Sequence, residues 1–90
     1  MKLIKRDKTF EKHYRLRIKT SENLERQFKD RLQKFIKGEL GYPLYDHALH
    51  GKLEGSRAFS IAGDIRVIYI ELDDMIVFLD IGNHNQVYGG

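Results

Sequence analysis

The chain has no cysteine and no tryptophan, and proline occurs once, at Pro43. Without thiols there is no disulfide framework and no thiolate metal site. That composition fits a reducing cytoplasm, where we expect the protein to act. Long hydrophobic runs are also missing. The opening M-K-L-I-K-R-D-K is too polar for a signal peptide, and no segment has the length or character of a membrane span, so no membrane partner is expected. Neither a glycine-rich phosphate loop nor a nucleophile elbow occurs. Basic residues are scarce in the second half. Residues 41–90 hold three Lys and Arg against seven Asp and Glu, whereas residues 1–40 hold thirteen against six. The net charge of +3 therefore hides a cationic first half, which suits an anionic partner.

What is present describes a small globular protein. Ninety residues, 41% hydrophobic and 32% charged, suffice for one domain over residues 1–90. A chain this short buries a modest fraction of its surface, so its stability should be marginal. Residues 1–6 alternate weakly around Leu3 and Ile4 and predict a short first strand. Phe10, Tyr14 and Ile18 recur every four residues and predict a helix over residues 7–18. Thr20 or Ser21 is placed to cap a second helix, whose apolar face is Leu24, Phe28, Leu32, Phe35 and Ile36. Gly38, Gly41 and Pro43 end it. Residues 44–56 lack a clean period and read as a polar connection. Residues 57–61 then alternate, with Phe59 and Ile61 on one side and Ala58 and Ser60 on the other. Residues 65–72 and 75–81 are β-branched and nearly continuously apolar, joined by a hairpin at Asp73-Asp74. The expected fold is α+β: an N-terminal strand, a two-helix hairpin, and a three-stranded antiparallel meander with the helices on one face.

Two polar segments bracket the meander: Y-D-H-A-L-H-G-K-L-E-G at residues 45–55 and I-G-N-H-N-Q-V-Y at residues 81–88. Three of the four histidines lie in them, outside the expected regular elements. His47 and His50 have the spacing of a chelating pair, but no third ligand accompanies them, so no metal and no cofactor is expected. Arg66 interrupts an apolar strand, which is costly unless it meets an anion. Its partner is either an internal carboxylate (Asp64, Asp80 or Glu54) or a phosphate gripped by the guanidinium. Arg57 admits the same two readings. Lys52, between Gly51 and Gly55, is free to follow a phosphate backbone.

The segments D-H-A-L-H-G-K-L-E-G-S-R, G-D-I-R-V-I-Y and L-D-I-G-N-H-N-Q-V-Y, in that order, resemble the YafQ-type branch of the RelE/ParE toxin superfamily. The resemblance implies a type II toxin with a cognate protein antitoxin. It also implies a metal-independent, ribosome-dependent endoribonuclease acting on mRNA. The free toxin is expected to be a monomer and the toxin–antitoxin assembly a hetero-oligomer. Carried over position by position, His47 matches the loop histidine, Asp64 the turn aspartate and His84 the C-terminal histidine. Tyr88 stands where an aromatic residue, usually Phe, is found, and Arg66 matches the strand arginine used on phosphate. The pattern departs at Ala58 and Ser60, where such toxins commonly carry an acid and a further histidine.

Cleavage by 2′-hydroxyl attack needs a base, an acid and cations around the phosphorane. Histidine, with a reference pKa of about 6.5, serves for either proton transfer. We assign His84 as acid and His47 as base, with the roles interchangeable at this level. Arg66, Lys52 and Arg57 would bind phosphate, Tyr88 would stack on a base or donate a proton, and Asp64 would close its turn or orient a histidine. Two other readings are a ParE-like toxin that inhibits DNA gyrase by protein contact and a catalytically degenerate RNA-binding member.

Overall fold

The computed structural model describes residues 2–89. Its elements are β1 (Leu3–Arg6), α1 (Lys8–Arg17), α2 (Glu22–Ile36), β2 (His47–Ala48), β3 (Arg57–Ala62), β4 (Ile65–Glu71), β5 (Met75–Gly82) and α3 (His84–Tyr88). The strands form one sheet in the order β1-β5-β4-β3-β2. β1 runs parallel to β5, and the other pairings are antiparallel. This is the expected α+β arrangement of strand, helix pair and meander. The first residue of the expected initial strand lies outside those described.

Capping sets where the helices begin. The Asp7 side chain accepts from Phe10 N at the start of α1, and Ser21 accepts from Leu24 N at the start of α2. Both helices then turn their apolar stripes onto one face of the sheet. There Phe10, Ile18, Phe28 and Phe35 meet Phe59, Ile61, Val67, Tyr69, Phe78 and Ile81, all buried. Aromatic rings knit this core: Phe35 stacks on Phe59 at 4.5 Å and meets Tyr69 edge-on at 5.0 Å.

Two segments differ from the sequence expectation. Residues 44–56 are not a featureless connection: they contain the edge strand β2 and a single 3-10 turn at Gly51–Leu53. Leu44 is fully buried in the main core, and Leu49 is buried against Ala58 and Ile68 on the opposite face. Isolated leucines at irregular spacing anchor this loop, so it shows no period. The tail is not irregular either. Asn83 accepts from Gln86 N at 2.9 Å while Gln86 Oε1 accepts from Asn83 N at 2.7 Å, a capping box that starts α3. With Val87 and Tyr88 packed beside Leu53 and Leu79, α3 covers the second face of the sheet together with the 45–55 loop.

Candidate active site

The second face carries a smaller apolar cluster, and above it the loop and α3 leave a cavity of about 500 Å³. It is lined by His47, His50, Lys52, Arg66, His84 and Tyr88, with Ala48, Leu49 and Leu53 completing the wall. Folding therefore gathers five residues singled out by sequence (His47, Lys52, Arg66, His84 and Tyr88) into one open concavity. Asp64 stands at its margin.

Asp64 binds two of the gathered groups at once. Arg66 Nη2 donates to its Oδ1 at 2.8 Å, and the backbone N–H of His84 donates to its Oδ2 at 3.1 Å. The turn that carries it, between β3 and β4, is made by Gly63 at φ 50°. Asp64 thus sits in the turn with its carboxylate shared between Arg66 and the His84 backbone. Arg66 has an internal carboxylate partner and still faces the cavity. Its Nη1 lies 3.4 Å from the Tyr88 hydroxyl, and its guanidinium stands 5.5 Å from the centre of that ring. His84 and Tyr88, four residues apart on α3, lie on one side of the helix with ring centroids 4.6 Å apart. Asp64, Arg66, Tyr88 and His84 thus close a ring of contacts. Gly82, opposite Arg66 on β5, leaves little room for a side chain: a Cβ there would fall 2.7 Å from Arg17 Nη1 and from Gln86 Oε1.

His47 approaches from the other side of the cavity. Its Nδ1 is 2.9 Å from the backbone oxygen of Tyr45. A carbonyl only accepts, so Nδ1 carries the proton, and in the neutral ring the lone pair lies on Nε2.

Arg57 is not part of this group. Alternation along β3 turns it to the helical face, beside its cross-strand neighbour Tyr69. There its Nε donates to Asp46 Oδ1 at 2.7 Å, with Nη2 at the same distance from that oxygen. Tyr69 donates its hydroxyl to the other carboxylate oxygen. The Asp46 side chain is 0% exposed. Its hydrogen bond, outweighing the cost of burial, raises the Arg57 pKa. Burial, reinforced by the bond to Asp46, raises that of Tyr69. This triad, whose carboxylate and phenol are buried, fixes the residue between Tyr45 and His47. Asp46 is the residue that sequence reasoning missed, although it stands inside the D-H-x-L-x-G segment; an acid directly before the loop histidine was the available signal.

Ala58 and Ser60 lie on the cavity side of β3. Ala58 is completely buried beneath Leu49, and Ser60 lines a second hollow of about 180 Å³ that shares His47 and Arg66 with the first. His13, the remaining histidine, is far from these groups in chain and face: its Nδ1 meets Asp80 Oδ1 at 2.6 Å between α1 and β5.

A family model described as a bacterial toxin of type II toxin-antitoxin system, YafQ, matches residues 2–89. The chain belongs to the YafQ family. Solved structures repeat the YafQ fold over nearly the whole length. YafQ from E. coli strain BL21(DE3) superposes with a TM-score of 0.81 at 23% identity, covering 99% of this chain and 100% of that one. A copper-bound mutant toxin from Helicobacter pylori gives 0.79 at 26% identity, covering 97% and 99%. The E. coli DinJ-YafQ toxin-antitoxin complex gives 0.76 at 25% identity, covering 98% of each chain. No curated protein sequence matches.

Proposed function

We propose that the chain is an endoribonuclease toxin that cleaves mRNA by attack of the ribose 2′-hydroxyl on the adjacent phosphorus. The observation carrying this reading is that three histidines, an arginine and a tyrosine line a single open cavity, with His47 Nδ1–H on a carbonyl so that its lone pair lies on Nε2. In this mechanism His47 Nε2 takes the 2′ proton as the oxygen bonds to phosphorus. His84 gives a proton to the departing 5′ oxygen as the P–O bond breaks, leaving a 2′,3′-cyclic phosphate and a free 5′-hydroxyl. Arg66 offers its guanidinium to the charge that grows on the non-bridging oxygens, and Lys52 adds a second cation from the rim. Tyr88 orients both Arg66 and the His84 ring. Asp64 positions the pair, and Arg57 acts at a distance by holding Asp46. DNA is not a substrate, because it lacks the nucleophile.

One solved relative is described as copper-bound. Among the described residues here, no three or more His, Cys, Asp or Glu side chains converge as a metal site, and no step is routed through one. Another relative is seen with its antitoxin, and we propose that a cognate antitoxin likewise binds this chain and blocks its site, with the basic first half turned toward ribosomal RNA. Among the described residues no helix is long and apolar enough to cross a membrane.

The test is induced expression of the wild type and of His84→Ala, with primer extension on cellular mRNA. Codon-phased cuts present in the wild type and lost in the variant are expected. Growth arrest with intact mRNA and altered DNA supercoiling would overturn the nuclease in favour of topoisomerase inhibition.

A further inference from the structure

Immediately outside the cavity, the loop after α2 presents two exposed aromatic rings, Tyr42 at 81% and Tyr45 at 61% exposure. Large apolar surface on a loop otherwise anchored by buried Leu44 calls for a use. The rings brace each other edge to face, with centroids 5.7 Å apart and planes at 81°. Tyr45 is also held at φ 48°, a left-handed conformation that costs a non-glycine residue on the order of 1–3 kcal/mol and persists only where surrounding contacts enforce it. Those contacts are present. Tyr45 N donates to Gly41 O and Asp46 N to Leu40 O, the buried Asp46 carboxylate follows, and the Tyr45 carbonyl accepts from His47. The same backbone turn therefore sets both the base histidine and the exposed ring.

The two hollows meet at His47 and Arg66, the residues they share. The smaller one, floored by the short side chains Ala58 and Ser60, runs from that junction to Tyr45. We propose that Tyr45, braced by Tyr42, is a stacking platform for the nucleobase of an RNA nucleotide flanking the scissile phosphate. The phosphate sits at the His47–Arg66 junction, and the strand continues through the smaller hollow onto the ring. This deepens the ribonuclease reading and rests on it. Single-stranded RNA is the occupant because the path starts at an arginine and a histidine and ends on flat exposed rings, the combination that binds unpaired nucleotides without demanding a particular base. Tyr45 is thus a positioning residue for substrate, separate from the proton-transfer pair.

The absence of tryptophan supplies a direct readout, since all near-ultraviolet emission comes from the five tyrosines. The probe is a short single-stranded RNA fully substituted with 2′-O-methyl ribose, which cannot be cleaved. Binding is followed by anisotropy of a 3′ dye and by quenching of tyrosine emission. Tyr45→Ala is expected to weaken binding about 10-fold and to lose part of the quenching, whereas Tyr45→Phe stays within about twofold of wild type. Tyr45→Gly removes the ring while relieving the positive φ, so it reports the missing ring even if Tyr45→Ala folds poorly. Equal binding by wild type and Tyr45→Gly overturns the platform, as does a wild type that does not bind the probe. A loss confined to antitoxin capture also overturns it and assigns the rings to a protein partner. Cleavage of unmodified mRNA by the wild type, measured separately with ribosomes, keeps the two readings distinct. Cleavage with unchanged probe affinity in Tyr45→Gly sinks the platform alone, and weakened probe binding without any cleavage sinks the nuclease alone.

Discussion

Removing the Asp46 carboxylate should destabilise the protein and misplace His47 together. Two groups lean on it: the hydroxyl of Tyr69, a residue only 2% exposed, and the guanidinium of Arg57, whose side chain is 39% exposed. In Asp46→Ala the Tyr69 hydroxyl is left buried without its acceptor, at a cost of about 1–3 kcal/mol. Arg57 regains water along its open side, so its lost ion pair adds no more than about 1 kcal/mol. The sum, about 1–4 kcal/mol, is below the ~5–15 kcal/mol that holds a typical protein together, so the variant still folds. For a chain of this size it lowers Tm by roughly 4–30 °C. Thermal denaturation followed by circular dichroism measures this. The double-mutant cycle with Tyr69→Phe locates it: with no hydroxyl to orphan, Asp46→Ala should cost at least about 1 kcal/mol less in that background. Well below the transition, RNA cleavage by Asp46→Ala should fall about 10- to 100-fold, because a displacement near 1 Å of a catalytic group has that effect. A Tm within about 3 °C of wild type, or an identical cost with and without the Tyr69 hydroxyl, would refute the reasoning.

Asp64→Ala should do the reverse. Its side chain is 59% exposed, so stability changes by less than about 1 kcal/mol, while single-turnover cleavage falls about 10-fold as Arg66 and the His84 backbone lose their common anchor. Gly82→Ala pushes a methyl group against the flexible ends of Arg17 and Gln86, so it should cost no more than about 1 kcal/mol in urea denaturation while lowering activity by displacing the Gln86 cap of α3. Tyr14 gives an alkaline signature. Its phenol is pushed up to about 12, first by burial and then by donating to Glu25 at 2.9 Å. A pKa raised above its unfolded value of 10.0 contributes stability that is complete below pH 10 and lost as pH climbs through about 12. Tyr14→Phe should therefore flatten the decline of urea-measured stability between pH 10 and 12, and an unchanged slope would count against the burial and Glu25 bonding of the Tyr14 hydroxyl.

The regular elements were legible because their residues repeat with the period of the structure they form. The Leu24–Phe28–Leu32–Phe35 face of α2, and the division of β3 into Phe59 and Ile61 against Ala58, follow from periodicity alone. What escaped has no period. β2 is two residues long and exists through its pairing with β3, while α3 is a single turn set by reciprocal Asn83–Gln86 capping. Arg57 and Arg66 looked alike in sequence, each a cation in or beside an apolar strand. Alternation sends Arg57 to the helical face and a buried carboxylate, and Arg66 to the cavity face beside Tyr88.

By itself the sequence determined the type and order of the main elements, the face of the sheet the helices cover, and the residue types available for chemistry. Each of these depends on contacts between near neighbours in the chain or on composition. Only the tertiary structure decided which of those residues meet. His47 and His84 are 37 positions apart and share a cavity because β3, β4 and β5 pair between them, with Asp46 pinning one end and Asp64 the other. Pairing of that kind is fixed by packing across the whole sheet, which no local pattern records.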